Sequence, residues 1–481
     1  MKNEILSELK PQKVFRYFEE ISAIPRGSGH CSAISAYCEQ FAAERNLKCV
    51  RDDADNVIIY KSATAGYENK PSVILQGHLD MVWEKSADSG INFETDGLSL
   101  GVDGDYIYAD GTTLGGDDGI AVAMFLALLD SDEIPHPELE IVLTTDEETG
   151  MNGAFALDAS LLKSKLMINV DSEEEGTLWV SCAGGARVDI SMQPELVKAE
   201  GTACEITVSG LHGGHSGAEI HVGYANANIL MGKVLDEMNK HLDFSVVEIN
   251  GGTMDNAITR NCSCKIVLRS EVEALYKLAL KMQTAFLKEY SGIDDSISVK
   301  ISDSLPVKSA FSKESTQQVV SLLNALPNGV IKMSEEIEGL VQTSLNLGVI
   351  KTESESVRFT FSVRSSKDEE RGALIASLLE IAEANGASAC SHSEYPAWPY
   401  KKDSVLRDKM ARIYNKMFNK EMTVTAIHAG LECGLFCGKI EGLDCVSLGP
   451  DMRDIHSPSE RLSISSTQRV WEYLLEVLKQ L

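Results

Sequence analysis

The sequence predicts an α/β domain built from both ends of the chain and interrupted by an inserted α+β domain with an internal repeat. Three observations carry this reading. In the first part, short apolar strands such as Val73-Ile74-Leu75 alternate with helices, the texture of a sheet covered on both faces. From about Val188 the strands lengthen and alternate, as in Cys204-Glu205-Ile206-Thr207-Val208, and long helices intervene. After about Ala389 the first texture returns. The bounds so drawn are 1–187 and 389–481 for the two parts of the first domain and 188–388 for the insertion.

Taken in order, Pro11 suits a first helical turn, and Val14, Phe15, Phe18 and Ile21 then form one apolar face. Pro25, Gly27 and Gly29 break that pattern before a second helix around Ile34, Tyr37 and Phe41. Strands follow at Val73 to Leu75, Leu139 to Thr144 and Leu166 to Val170, with a buried helix from Ile120 to Leu129. In the insertion, Cys264 to Ser270 and Phe359 to Ser365 each end in Arg-Ser and each precede a helix, the first from Glu271 to Tyr290. That pairing is the internal repeat. A helix from Leu406 to Phe418, a turn at His428-Ala429-Gly430, a strand at Cys445 to Leu448 and a helix from Ser466 to about Leu478 close the chain.

Bulk properties narrow the function. A length of 481 residues is too long for one ordinary core. A net charge of -28 argues against nucleic acid, whose phosphates need a basic surface. No apolar core of signal-peptide length follows Met1 to Lys13, and no run is long enough to cross a bilayer, so the expectation is a cytoplasmic protein without a membrane partner. The eleven cysteines show no disulfide frame. Cys262-Ser263-Cys264 and Cys433 with Cys437 lack structural zinc spacing and are read as core or strand cysteines.

The chemistry is concentrated just past the strands. His78-Leu79-Asp80 follows Val73 to Gln76, and Asp117-Asp118-Gly119 opens the helix at Ile120. Asp146-Glu147-Glu148 follows Thr144, Asp171 follows Val170, and His456 lies in a late loop. The carboxyl ends of strands in an open α/β sheet form the crevice where ligands bind, so these side chains are placed to converge. Singly, each has a bland reading: a helix cap, a solvated acidic pair, a structural histidine. Their order and shared placement favour a site.

On these residues the chain resembles the M20 metallopeptidases. The resemblance rests on Gly77-His78-Leu79-Asp80, Leu114 to Gly119, Thr145-Asp146-Glu147-Glu148-Thr149-Gly150, Gly213-Gly214-His215-Ser216-Gly217 and His456. The subgroup it looks most like is the aminoacyl-histidine dipeptidases, through Asn169 to Glu174, His428 to Gly434 and Ile455 to Glu460. The resemblance implies a zinc-exopeptidase-like catalytic domain with a central mixed sheet flanked by helices, interrupted by a lid of the kind that dimerises shorter members.

It also implies roles. Two Zn²⁺ ions per chain would be bridged by Asp117, with His78 and Asp171 on one and Glu148 and His456 on the other; Mn²⁺ or Co²⁺ would suit the same donors. Asp80 would orient His78, and Glu147 would be the general base. His215 would donate to the oxyanion, ahead of its neighbour His212. Asn256 would contact the substrate near its carbonyl, Arg364 would hold its carboxylate, and Gly430 and Glu432 would line the substrate end. Arg269, the repeat partner of Arg364, warns that an arginine at that strand end can be structural. The activity implied is cleavage of small peptides, above all dipeptides ending in histidine such as β-alanyl-histidine. Alternatives are a tripeptide aminopeptidase, an N-acyl amino acid amidohydrolase, and a non-catalytic binding protein on the same fold. A homodimer is implied, with a monomer as the alternative because a doubled lid could act within one chain.

Overall fold

The computed structural model describes residues 5–481. The chain divides into two compact units. One comprises the chain up to Ser181 with Tyr400–Ala426 and Leu431–Leu481; the other comprises Cys182–Pro399 with Ile427–Gly430. The second unit thus begins before 188, ends after 388, and takes in four residues of the turn at 428.

The first unit is organised by an eight-stranded sheet. In spatial order its strands are Lys48–Arg51, Val57–Lys61, Leu139–Thr144, Val73–His78, Leu166–Asn169, Asp444–Ser447, Thr177–Cys182 and Thr423–Ile427. The central strands run parallel: Val73–His78 pairs in parallel with Leu139–Thr144 and with Leu166–Asn169, which pairs in parallel with Asp444–Ser447. Antiparallel partners flank them, so the sheet is mixed. Val73–His78 and Leu139–Thr144 are buried along their whole length, which explains their unbroken apolar pattern. The helix Gly116–Leu129 is buried at every position. Asp117 and Asp118 have non-helical backbone angles, so the regular helix starts near the Ile120 read from the sequence. The helices Gln12–Ser22 and Ile464–Gln480 bury one face each in the same core.

The second unit contains a nine-stranded sheet whose paired strands are antiparallel. Two of its strands, Cys262–Leu268 and Val357–Ser365, lead into the long helices Val272–Glu289 and Asp368–Ala384. Their strand–helix succession is the repeat visible in the sequence. Cys262 and Cys264 point into this unit's core, whereas Cys433 and Cys437 lie on the helix Glu432–Lys439 of the first unit.

Among the described residues no helix is long and apolar enough to cross a membrane.

Candidate metal centre

Three parallel strands of the first unit end at one edge, and each delivers an ionisable group there: His78 on the first, Glu147 and Glu148 after the second, and Asp171 after the third. Backbone in the left-handed region at Asp146, Asp454 and His456 turns the loops around this edge, a conformation that costs energy for residues other than glycine.

The donors close around Asp117. Its Oδ1 lies 2.9 Å from His78 Nε2, and its Oδ2 lies 3.2 Å from His456 Nε2. His78 Nε2 is also 3.5 Å from Asp171 Oδ1, and His456 Nε2 is 2.9 Å from Glu148 Oε1. One carboxylate thus faces two imidazoles, each with a further carboxylate beside it. Glu147 groups with His78 and Glu148, and Asp118 with His78 and Asp171.

Asp80 has a wider role than orienting one ring. Its backbone carbonyl and Oδ1 lie 3.1 and 3.4 Å from His78 Nδ1. Its carboxylate also accepts from the backbone N–H groups of Glu147 and Glu148 and from Ser28 Oγ. Burial opposes its ionisation, but His78 and these donors hold its pKa below the usual carboxylate range. Asp118 is fully buried, and its Oδ2 accepts from the backbone N–H of His78. A Cβ at Gly77 would collide with that carboxyl. Burial and the charge of Asp171 push Asp118 well up.

The charge balance of the centre suits added positive charge. Burial and neighbouring acids raise Asp171 to about 6 and Glu147 well above its ordinary value. Hydrogen bonds to Asp117 and Glu148 raise His456 to about 11. Burial works against a charge on His78, yet Asp171, Asp117 and Asp80 raise it well above 6.5. Protons on imidazole are the only cations this cluster offers itself, and buried carboxylates need counter-charge. Nitrogen and oxygen donors at this spacing fit divalent cations of the zinc class.

Other residues read from the sequence fall in the second unit. His215 donates its backbone N–H to Glu219, while its Nδ1 faces the backbone N–H groups of Gly217 and Ala218 at 3.3 and 3.0 Å. A backbone N–H can only donate, so Nδ1 accepts and Nε2 carries the hydrogen. Burial and the charge of Arg364 lower the pKa of this ring, keeping it a neutral donor. Asn256 and His215 both line a cavity of about 640 Å³. Arg364 is buried and donates to Tyr395 Oη at 3.0 Å; among the described residues no carboxylate pairs with it. A Cβ at Gly430 would strike the Tyr395 ring, so this glycine packs against the residue that holds Arg364.

Glu432 is held by partners that the sequence did not show. It is fully buried in the first unit, and its Oε2 accepts from Gln76 Nε2 at 2.5 Å and Thr144 Oγ1 at 2.6 Å. Burial raises it to about 8. It stands first in the helix Glu432–Lys439, and its charge is felt by Glu147 of the donor cluster. Sequence reasoning missed two other buried charges, Arg26 and Glu460, and the neutral His428, whose Nε2 meets Ser344 Oγ at 2.7 Å. Glu460 stands four residues after His456, the one local signal for it; Arg26 has none.

A strand-end crevice with paired imidazoles around one carboxylate and further acids beside them defines a metal-dependent hydrolase. The profile of Peptidase family M20/M25/M40 matches residues 74–480. The chain is 37% identical, over 99% of both lengths, to the cytosol non-specific dipeptidase of Escherichia coli (strain K12). The crystal structure of aminoacylhistidine dipeptidase from Vibrio alginolyticus superposes with a TM-score of 0.91 at 37% identity, covering 99% of this chain and 98% of that one. A tripeptidase from Staphylococcus aureus shares the fold at a TM-score of 0.57 and 16% identity, covering 98% of each. The chain belongs to Peptidase family M20/M25/M40 and is a metallopeptidase.

Proposed function

We propose that this protein hydrolyses dipeptides at a centre of two divalent cations, zinc by preference, held by His78, Asp117, Glu148, Asp171 and His456. The observation that carries the reading is Asp117, with one oxygen toward each histidine. Cations bound there would supply Lewis acidity and lower the pKa of a bound water. Glu147, buried among Asp171, Glu432 and Glu148, takes the proton of the attacking water and passes it to the leaving amine. Asp80 holds the His78 ring and the Glu147 backbone in register.

From the second unit, His215 offers its Nε2–H to the developing oxyanion, Asn256 meets the substrate near its carbonyl, and Arg364 receives the free carboxylate. These groups act in the same chain or across a homodimer. The two 37% identical relatives, one named a cytosol non-specific dipeptidase and the other an aminoacylhistidine dipeptidase, support a dipeptide substrate. They leave preference for a C-terminal histidine as the finer part of the proposal. The cytosol in the first name supports a cytoplasmic location, and neither nucleic acid nor membrane has a part in the reaction.

The test is turnover of β-alanyl-histidine, other Xaa-His dipeptides, non-His dipeptides, a tripeptide and an N-acetyl amino acid after chelation, with and without added zinc. Zinc-restored cleavage of dipeptides is expected. Cleavage confined to the tripeptide or acyl substrate would replace the substrate assignment, and absence of any turnover by metal-loaded protein would favour a binding role.

A further inference from the structure

The segment that carries Asp117 is gripped by two buried residues of opposite charge. Arg26, 1% exposed, donates through Nη2 to the Gly115 carbonyl at 2.5 Å, and through Nη1 to the carbonyls of Leu79 and Asp80 at 3.0 and 3.1 Å. Glu460, 2% exposed, accepts through Oε2 from the N–H groups of Leu114 and Gly115 at 2.7 and 3.1 Å, and through Oε1 from Gly116 at 2.8 Å. The guanidinium takes a carbonyl and the carboxylate takes three N–H groups of one short stretch, the stretch that ends at Asp117.

Each charge also reaches toward a histidine. The carbonyls of Leu79 and Asp80 belong to the strand end of His78, so Arg26 ties that end to the Asp117 segment. Glu460 is four residues beyond His456 and ties the closing loop to the same segment. The glycines of Leu114-Gly115-Gly116-Asp117-Asp118-Gly119 make room for this grip. A Cβ on Gly115 or on Gly119 would lie 2.5 Å from Arg26 Nη2, and one on Gly116 would lie 3.3 Å from Glu460 Oε1. Gly115 also takes a positive φ of 62°.

We infer that Arg26 and Glu460 are positioning residues for the metal centre: together they fix the Asp117 carboxylate midway between His78 and His456, and the glycines of its motif are required by that clamp. Their ion pairing is indirect, through the peptide groups between them, which spends both charges on holding backbone. The inference rests on the binuclear reading of the site.

The experiment is calorimetric titration of metal-free protein with Zn²⁺, with bound metal counted independently, on wild type, Arg26→Lys, Glu460→Gln and Gly119→Ala. A lysine has one nitrogen and cannot reproduce the two that Arg26 sends separately to Gly115 and to Leu79 and Asp80, and a glutamine amide turns a donor toward backbone donors. Affinity for at least one ion should fall by roughly 10–100-fold in each variant, the cost typical of residues that orient ligands. Gly119→Ala combined with Arg26→Lys should be less than additive, since both remove one contact. If Arg26→Lys does not fold, Glu460→Gln and Gly119→Ala carry the same test. Full two-ion affinity in folded variants whose metal-free unfolding temperature drops would overturn the clamp and leave an ordinary structural brace. Fewer than two ions on wild type would overturn the binuclear reading and the clamp with it.

Discussion

The charged groups set around the histidines of the two units differ in sign. The first unit collects Asp117, Asp118, Glu147, Glu148 and Asp171 around two histidines whose protons are held tightly. The second sets Arg364 near His215 and His428 and drives both rings toward the neutral form, His428 to about 3 through burial and the arginine's charge. The proposed function asks the first region to hold cations and the second to receive an anion beside a neutral hydrogen-bond donor. A dipeptide offers matching features: a carbonyl to polarise and a free carboxylate to hold.

Breaking the first region should have the largest effect. Glu147→Ala should lower kcat by roughly 10²–10⁴-fold, the usual contribution of a general base, while the five remaining donors keep two ions, as metal analysis of the purified variant can show. Metal loss in that variant would mean that Glu147 is a ligand. In the second region, His215→Ala should lower kcat by about 10²–10³-fold with a smaller change in KM, because an oxyanion donor acts mainly in the transition state. A change confined to KM would make His215 a ground-state contact.

The comparison also separates what a sequence exposes from what it hides. His78, Asp117, Glu148, Asp171 and His456 were legible because each follows a recognisable strand or motif, and parallel strands bring their ends to one edge. The full burial of Glu432 and its bonds to Gln76 and Thr144 were not legible, because those partners lie 356 and 288 residues away. Arg26 and Glu460 carry no periodic signal, since they bind backbone 53 to 346 residues away. The sheet covered on both faces and the repeated strand–helix pairs follow apolar patterning and were readable, and the sheet's mixed character came only with the family resemblance. The bounds of the second unit depend on contacts distant in sequence, as in the backbone bond from Ala183 to Ile427.

The repeat allows a sharper comparison within the second unit. Arg269 and Arg364 follow the same strand pattern, yet Arg269 pairs with Asp243 at 2.7 Å on the surface, whereas Arg364 is buried without a carboxylate. Arg364→Met should raise KM for dipeptides by about 10–100-fold, the worth of hydrogen bonds to a charged group, and should spare C-terminally amidated substrates. Arg269→Ala should leave both kinetic constants unchanged and cost about 1 kcal/mol or less. Equal losses in the two variants would remove the carboxylate role from Arg364.

The smallest expected effect concerns acid stability. At the start of the helix Asp368–Ala384, Glu370 accepts from Lys332, Thr343 and Gln342, chiefly Lys332, which lowers its carboxyl to about 2. In the unfolded chain that group takes its proton near 4.5. Above that pH both states are ionised and the stabilisation is complete. As pH falls from there toward 2 the unfolded chain binds more protons than the folded one, and the contribution is lost. His428, held neutral down to about 3 by burial and the charge of Arg364, also loses stability as the pH falls below 6.5, because the unfolded ring takes a proton that the folded one refuses. The part due to Glu370 is therefore read as the difference between wild type and a Glu370 variant. Urea unfolding of wild type and Glu370→Gln should differ by a constant amount above pH 5, about 1 kcal/mol or less given the exposure of Lys332, and the difference should shrink as pH drops to 3. A difference that grew with acid would place the titrating group elsewhere in the unit.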